Sequence, residues 1–335
     1  MPSRKSTLLA LPILLGLSGS LATLNDAHAL ALGSDFSADY TATSLGSVPG
    51  LPQNYGGLTF LDNDTLLIGG AANTESGLFY TIDITRDSGG HITGFSGTAT
   101  AFGAIGEYND GGVAFGPGGV LFTSRWPVNG LGQTKPGSTD EDKITDLTSL
   151  GVAGSHSALN FIPTGFGGAG GLRLVSYSGG EWYKATLTPD GSGTYDLSSV
   201  TQIDLDLNTL GIQNVPGGPE GFVYIAAENP GFSANSMLIA EYLAGSVAAY
   251  EVDANGNPLV NTRRDFLTDL TGAEGSVIDP VTNDYLFSTF GGGNQIVRVQ
   301  GFLAPPPPSI PEPTTLLLLG IGLVGTSVVR RRRRN

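Results

Sequence analysis

The chain has 335 residues, with 30 acidic and 16 basic side chains and a formal charge of −14. Glycine (51) and proline (20) make up about a fifth of it, which argues against a helix bundle or long coiled coil, because these are the poorest helix residues. Cysteine is absent, so a disulfide framework, a thiolate metal centre and a cysteine nucleophile are excluded, and 40% hydrophobic content argues against wholesale disorder.

Residues 1–29 read as a secretory signal peptide. Arg4 and Lys5 give a basic start, and an apolar stretch runs from Leu8 to Leu24. Ala27-His28-Ala29 then supplies the small-x-small pattern that signal peptidase cleaves. The competing reading is an uncleaved anchor, which fits less well because Pro12 and glycines interrupt the run.

The body, 30–304, reads as all-β. Tyr40 to Val48 is a solitary strand candidate. Five segments then share one grammar: small residues, a short apolar strand, a turn and a second apolar strand. They are GGLTFLDNDTLLIGG from Gly56, GGVAFGPGGVLFTS from Gly111 and SALNFIPTGFGGAGGLRLVSYS from Ser157. EGFVYIAAENPGFSANSMLIAEY from Glu220 and EGSVIDPVTNDYLFSTF from Glu274 complete the set. Starts 46 to 63 residues apart fit propeller blades, whose repeats run roughly 40 to 50 residues before insertions. Each unit continues into further strand. Leu78 to Thr85 alternates, and Val247 to Val252 precedes the hairpin signal Asp253-Ala254-Asn255-Gly256. Glu141 to Leu150 is either a short helix or an outer strand.

The last unit has three strands, with Gln295 to Phe302 as the third. Pairing it with Tyr40–Val48 would close a ring and cover an open edge. The predicted fold is therefore a β-propeller of five, or six, four-stranded blades, with a β-sandwich as the competitor. This strand–turn periodicity resembles the broad superfamily of NHL-type and gluconolactonase-like propellers.

In a propeller the innermost strands line the axis, so residues just before them ring one mouth. Registering the units on Phe60, Phe115, Phe161, Tyr224 and Ile278 brings Gly56, Gly111, Ser157, Glu220 and Glu274 level. One step earlier come Tyr55, Asp110, His156, Pro219 and Ala273, with Asn54 and Asn109 behind. Asp110, His156, Glu220 and Glu274 are thus candidate metal ligands. An oxygen-rich set with one imidazole suits Ca²⁺ or another hard divalent cation. The gluconolactonase-like resemblance implies a catalytic metal at such a mouth, held by acidic and amide ligands. It would give a lactonase- or esterase-like hydrolase in which the ion polarises a carbonyl and a carboxylate acts as base. The structural alternative is that Pro-Glu-Gly and Ala-Glu-Gly only hold backbone at turns.

Other features carry less chemistry. His91, in Gly89-Gly90-His91-Ile92, reads as an exposed hairpin tip. No Gly-x-Ser-x-Gly elbow accompanies His156. Gly165 to Gly170 matches Gly-x-Gly-x-x-Gly, but no helix follows. Asp62-Asn63-Asp64 lacks the remaining spacing of a calcium loop and reads as a solvated turn. Trp126 and Trp182 could stack on sugar rings, but packing between blades is the favoured role for both.

The far end has three parts. Pro305 to Pro308 opens a stiff linker, 305–313, that ends in Pro311-Glu312-Pro313. Thr314 to Val329 is uncharged and mostly apolar, just short of the roughly 17 to 25 residues of a spanning helix. Arg330, Arg331, Arg332, Arg333 and Arg334 follow and should stay cytoplasmic as a membrane stop signal. This tail, PEPTTLLLLGIGLVGTSVVRRRRRN, resembles the PEP-CTERM sorting signal of Gram-negative bacteria. The resemblance implies recognition by an exosortase, cleavage near Pro311-Glu312-Pro313, and export linked to exopolysaccharide or biofilm. A transmembrane sorting helix over 314–335 would anchor the chain transiently in the inner membrane, and a permanent single-span anchor is the alternative. Either way the body lies outside that membrane, at the cell surface, outer membrane or beyond.

Without both ends the body carries 9 basic and 28 acidic side chains, a charge near −19. Such a surface repels nucleic acid and favours bound cations. The sequence thus points to an exported, non-enzymatic binding or structural propeller with polysaccharide or matrix proteins as partners. The alternative is a metal-dependent hydrolase at the propeller mouth.

Overall fold

Short extended runs separated by turns that need positive φ produce an antiparallel β architecture throughout. The computed structural model describes residues 30–206 and 210–304; the expected signal peptide, the proline-rich linker and the sorting tail lie outside the described residues. Two strands come first, β1 (Ala31–Leu32) and β2 (Thr41–Gly46). The first blade contains β3 (Leu58–Phe60), β4 (Thr65–Gly70), β5 (Leu78–Arg86) and β6 (Ile92–Ala101). The second contains β7 (Asn109–Phe115), β8 (Leu121–Arg125), β9 (Gly130–Thr134) and β10 (Lys143–Asp146). The third contains β11 (His156–Phe161), β12 (Leu172–Ser176), β13 (Trp182–Pro189) and β14 (Tyr195–Ile203). The fourth contains β15 (Pro219–Ile225), β16 (Ser236–Glu241), β17 (Ser246–Glu251) and β18 (Arg264–Thr268). The fifth has β19 (Ala273–Ile278), β20 (Tyr285–Thr289) and β21 (Ile296–Gln300).

The fifth blade is completed by β2, which pairs with β21 from Thr41↔Gln300 to Gly46↔Ile296. The early strand therefore closes the ring, as its isolation in the sequence predicted. β1 adds to the outer edge of the fourth blade through Ala31↔Thr268 and Leu32↔Leu267, so one short segment covers two neighbouring edges. The ring has five blades, and the six-blade option is set aside. Glu141–Leu150 contains the outer strand β10 and a 3₁₀ turn, Thr148–Leu150.

Each contact between neighbouring blades encloses its own apolar cluster. Leu66, Ile68 and Ile82 meet Leu286 and Ile296 of the fifth blade, while Leu67 and Phe79 meet Val113 and Leu121 of the second. Three consecutive residues of β4 are therefore fully buried. That explains why the second strands read as continuous apolar runs, since both faces are covered. Trp182 lies in the seam between the third and fourth blades, its ring 4.7 Å from Phe222.

At the axis the inner strands approach backbone to backbone. A Cβ on Gly275 would lie 2.5 Å from Gly57 Cα, and one on Gly221 would lie 2.4 Å from the Ser276 nitrogen. Only glycine permits that distance. Serine hydroxyls tie the blades together here. Ser288 Oγ donates to the Gly56 carbonyl at 2.6 Å, and Ser157 Oγ donates to the Pro219 carbonyl at 2.7 Å. The Gly57 amide donates to the Asp110 carbonyl at 2.7 Å. This packing separates the two ends of the axis.

Candidate cation site at one mouth of the axis

The site is built by irregularities in the inner strands. In β15 two residues, Glu220 and Gly221, lie between the paired positions Pro219 and Phe222, opposite the single residue Ala240. In β19 Glu274 and Gly275 do the same between Ala273 and Ser276. In β7 three residues, Asp110, Gly111 and Gly112, fall between Asn109 and Val113. Such bulges re-aim side chains that a regular strand would send to the blade faces. The extra residue in the second blade brings Asp110, rather than Gly111, level with the two glutamates.

Asp110, Glu220 and Glu274 are 1%, 4% and 1% exposed, and one oxygen from each lies within 4.8 Å of the others. Asp110 Oδ2, Glu220 Oε2 and Glu274 Oε1 have no hydrogen-bond partner. Among the described residues no arginine, lysine or histidine forms an ion pair with any of them. Asn73, with its amide turned to suit its neighbours, donates to Asp110 Oδ1 at 2.9 Å and to the Asn109 carbonyl at 3.1 Å. It sits at φ 65° just after β4, a conformation asparagine tolerates. Asn73 thereby occupies Oδ1 and leaves Oδ2 as the unpartnered oxygen.

Three carboxylates this close, without a counter-charge, resist ionisation. Burial pushes the Asp110 carboxyl up to about 7, against hydrogen bonds from Glu274, Asn73 and the Gly111 amide. Glu220 is held well above the carboxylate range by burial and then by the charge of Asp110. Glu274 is raised by burial and then by the charges of Glu220 and Asp110. A bound cation would reverse that balance. Three unpartnered hard oxygens fit Ca²⁺, Mg²⁺ or Mn²⁺ and do not suit a soft, thiolate-seeking metal.

A cavity of about 150 Å³ opens above this floor, lined by Glu220, Glu274, Asn73 and four half-buried aromatic side chains, Trp126, Tyr177, Tyr242 and Phe290. Burial, followed by the charge of Glu220, pushes the Tyr177 phenol up to about 12, and burial and then Glu274 raise Tyr242. The aromatic wall was missed at the sequence level. Its signal is an aromatic residue directly after the second strand of four units, in Arg125-Trp126, Ser176-Tyr177, Glu241-Tyr242 and Thr289-Phe290. Trp182 has the packing role expected of both tryptophans; Trp126 does not, and lines the mouth instead.

His156 stands apart from the three carboxylates. It opens β11 ahead of the bulge, and its ring turns into the seam with the second blade. Nδ1 lies 3.0 Å from the Gly130 carbonyl and Nε2 lies 3.1 Å from the Ala158 carbonyl. Burial pushes its pKa down to about 4, against the two carbonyls, which raise it. The Tyr55 hydroxyl serves backbone, accepting the Val48 amide at 3.0 Å, while the Asn54 main-chain amide is itself held by the Asn294 side chain, donating to its Oδ1 at 2.6 Å. Buried Asn109 donates from Nδ2 to the Gly106 carbonyl at 2.7 Å. His91 is not a free hairpin tip, because its Nδ1 lies 2.8 Å from Asp284 Oδ2 of the fifth blade. Asp62–Asp64 forms the β3–β4 turn, and Gly165–Gly170 leads into strand β12 rather than a helix.

Residues 309–334 match the PEP-CTERM protein-sorting motif. The tail carries an exosortase sorting signal, and the chain is an exported protein. No helix among the described residues is long and apolar enough to cross a membrane. No match was found among curated proteins. Similar solved structures include a putative gluconolactonase at 12% identity, covering 81% of this chain and 95% of that one, with a TM-score of 0.42. A putative glucose dehydrogenase from Thermus thermophilus gives 13%, 78%, 100% and 0.42 for the same measures. An auxiliary nutrient binding protein from Bacteroides thetaiotaomicron gives 9%, 78%, 76% and 0.44. At such identities no activity is carried over from them.

Proposed function

We propose that this exported propeller is a binding protein of the cell surface or extracellular matrix that holds a hard divalent cation, Ca²⁺ foremost, at the acidic mouth of its axis. The observation that carries the reading is the convergence of three buried carboxylates from the second, fourth and fifth blades, each of which leaves one oxygen without a partner. An unpaired buried carboxylate costs several kcal/mol, so the cluster is stable only when protonated or when it shares a cation. Ca²⁺ takes about six to eight oxygens, so three protein ligands leave positions for water or for a ligand entering the cavity.

The hydrolase alternative placed His156 on the same ion. With that ring committed to backbone carbonyls, the carboxylates would have to serve as both ligands and base. The geometry supports binding better.

Calorimetric titration of Ca²⁺ into the full chain near pH 8 tests the reading. The expected result is one ion per chain, with affinity falling at least about 100-fold in Glu220→Gln and Glu274→Gln. Absence of binding, or variants that bind like the parent while melting at its temperature, would overturn it.

A further inference from the structure

The carboxylates account for the floor of the mouth but not for its wall. Trp126 follows β8, Tyr177 follows β12, Tyr242 follows β16 and Phe290 follows β20. The equivalent place in the first blade is Ala71, and Asn73 closes that side. Four blades thus contribute one ring each to a single cavity.

Those rings do not form a flat platform. Tyr177 and Tyr242 have centroids 6.0 Å apart with planes at 70°, and Tyr242 and Phe290 are 6.2 Å apart, also at 70°. A sugar ring stacks on a flat aromatic face. Rings that meet edge-on at 70° instead stand as walls around a small volume, and every ring face open to it carries the negative side of an aromatic quadrupole. Beneath the box lie the unpartnered, buried Glu220 Oε2 and Glu274 Oε1. Wall and floor therefore favour the same ligand charge. At about 150 Å³ the cavity is well below the roughly 300–1,000 Å³ of pockets for drug-sized ligands, so it takes a head group.

We infer that this mouth binds the N-methylated ammonium group of a small organic cation, with its methyl groups against Trp126, Tyr177, Tyr242 and Phe290 and its charge over Glu220 and Glu274. A methylated ammonium donates few or no hydrogen bonds and spreads its charge over its methyl groups, which suits a mostly aromatic wall. The inference rests on the acidic mouth of the proposed function but does not require the divalent ion. The two cations draw on the same carboxylates and compete.

The chain has two tryptophans, and Trp182 is fully buried in a blade seam. Trp182 gives a constant background, so a change in tryptophan emission on adding ligand reports on Trp126. The experiment titrates the full chain with choline and with its uncharged isostere 3,3-dimethylbutan-1-ol, first with a chelator and then with Ca²⁺. Choline should give a saturable change, and the isostere should bind at least about tenfold more weakly. Tyr242→Ala and Glu220→Gln should each weaken choline about tenfold without lowering the melting temperature, and Ca²⁺ should raise the apparent Kd. Equal binding of choline and its isostere, or no saturable change with choline by emission and calorimetry, would overturn the inference. The calorimetric Ca²⁺ titration is a separate readout. Ca²⁺ binding without choline binding would sink the inference alone, and choline binding without Ca²⁺ binding would sink only the divalent-ion reading.

Discussion

The two ends of the axis differ in size and in chemistry, and the two differences run in opposite directions. Where the inner strands finish, a cavity of about 460 Å³ is lined by Phe115, Phe161, Phe166, Tyr224, Ile278 and Phe302, among others, and by no acidic or basic side chain. Its amides are already used. Asn160 Nδ2 donates to the Phe222 carbonyl at 2.8 Å, Asn229 Oδ1 accepts the Leu303 amide at 2.8 Å, and Asn283 Nδ2 donates to the Leu303 carbonyl at 2.8 Å. Where the inner strands begin, the cavity is about 150 Å³, yet buried carboxylates there have oxygens with no partner. Volume and unsatisfied polar groups thus point to opposite ends. Unsatisfied polar groups in a buried place are what demand a ligand.

The packed axis between the two ends is the most sensitive place to substitution. Gly275→Val would drive side-chain atoms into Gly57 and should cost at least about 3 kcal/mol, read as a lower unfolding midpoint in urea. An unchanged midpoint would show that the axis is looser than its backbone contacts imply.

Asp110→Asn sharpens the contrast by removing charge at one end only. Ca²⁺ affinity should fall about 100-fold. Burial holds the Asp110 carboxyl at about 7, above its ordinary value of 3.8. The folded, metal-free protein therefore binds protons more tightly than the unfolded chain. Its stability should fall as pH rises from about 4 through 7, and Ca²⁺ affinity should rise over the same window. In chelator near pH 8 the asparagine variant should melt above the parent. Melting below the parent there would mean that the carboxylate is already compensated.

Asn73→Ala should weaken Ca²⁺ about tenfold, the worth of one hydrogen bond to a charged group, with little change in melting temperature. Phe115→Ser, at the larger cavity, should leave the Ca²⁺ titration unchanged. A shift there would couple the two ends through the packed axis.

Much of the ring was legible because its grammar is local. Small residues, an apolar strand and a turn recur at each blade, and the orphan strand Tyr40–Val48 had one unpaired edge to fill. Glu220 and Glu274 were legible because their blades share one bulge, so register carried them to the same level. The same count placed Asp110 and His156 one residue earlier; Asp110 does join the two glutamates and His156 does not. The second blade has an additional bulged residue that moves Asp110 into the cluster, whereas His156 precedes its bulge and turns into a seam. Bulge length depends on how strands pack around the axis, which a linear alignment of inner strands does not contain. The aromatic wall was present at the end of four units. It becomes visible only when the second strands, rather than the first, are brought into register.

Diffraction from crystals grown with Ca²⁺, recorded at a wavelength where calcium scatters anomalously, would locate the ion itself. One strong anomalous peak is expected about 2.3–2.6 Å from oxygens of Asp110, Glu220 and Glu274. Peaks confined to exposed carboxylates, with none between these three, would contradict it.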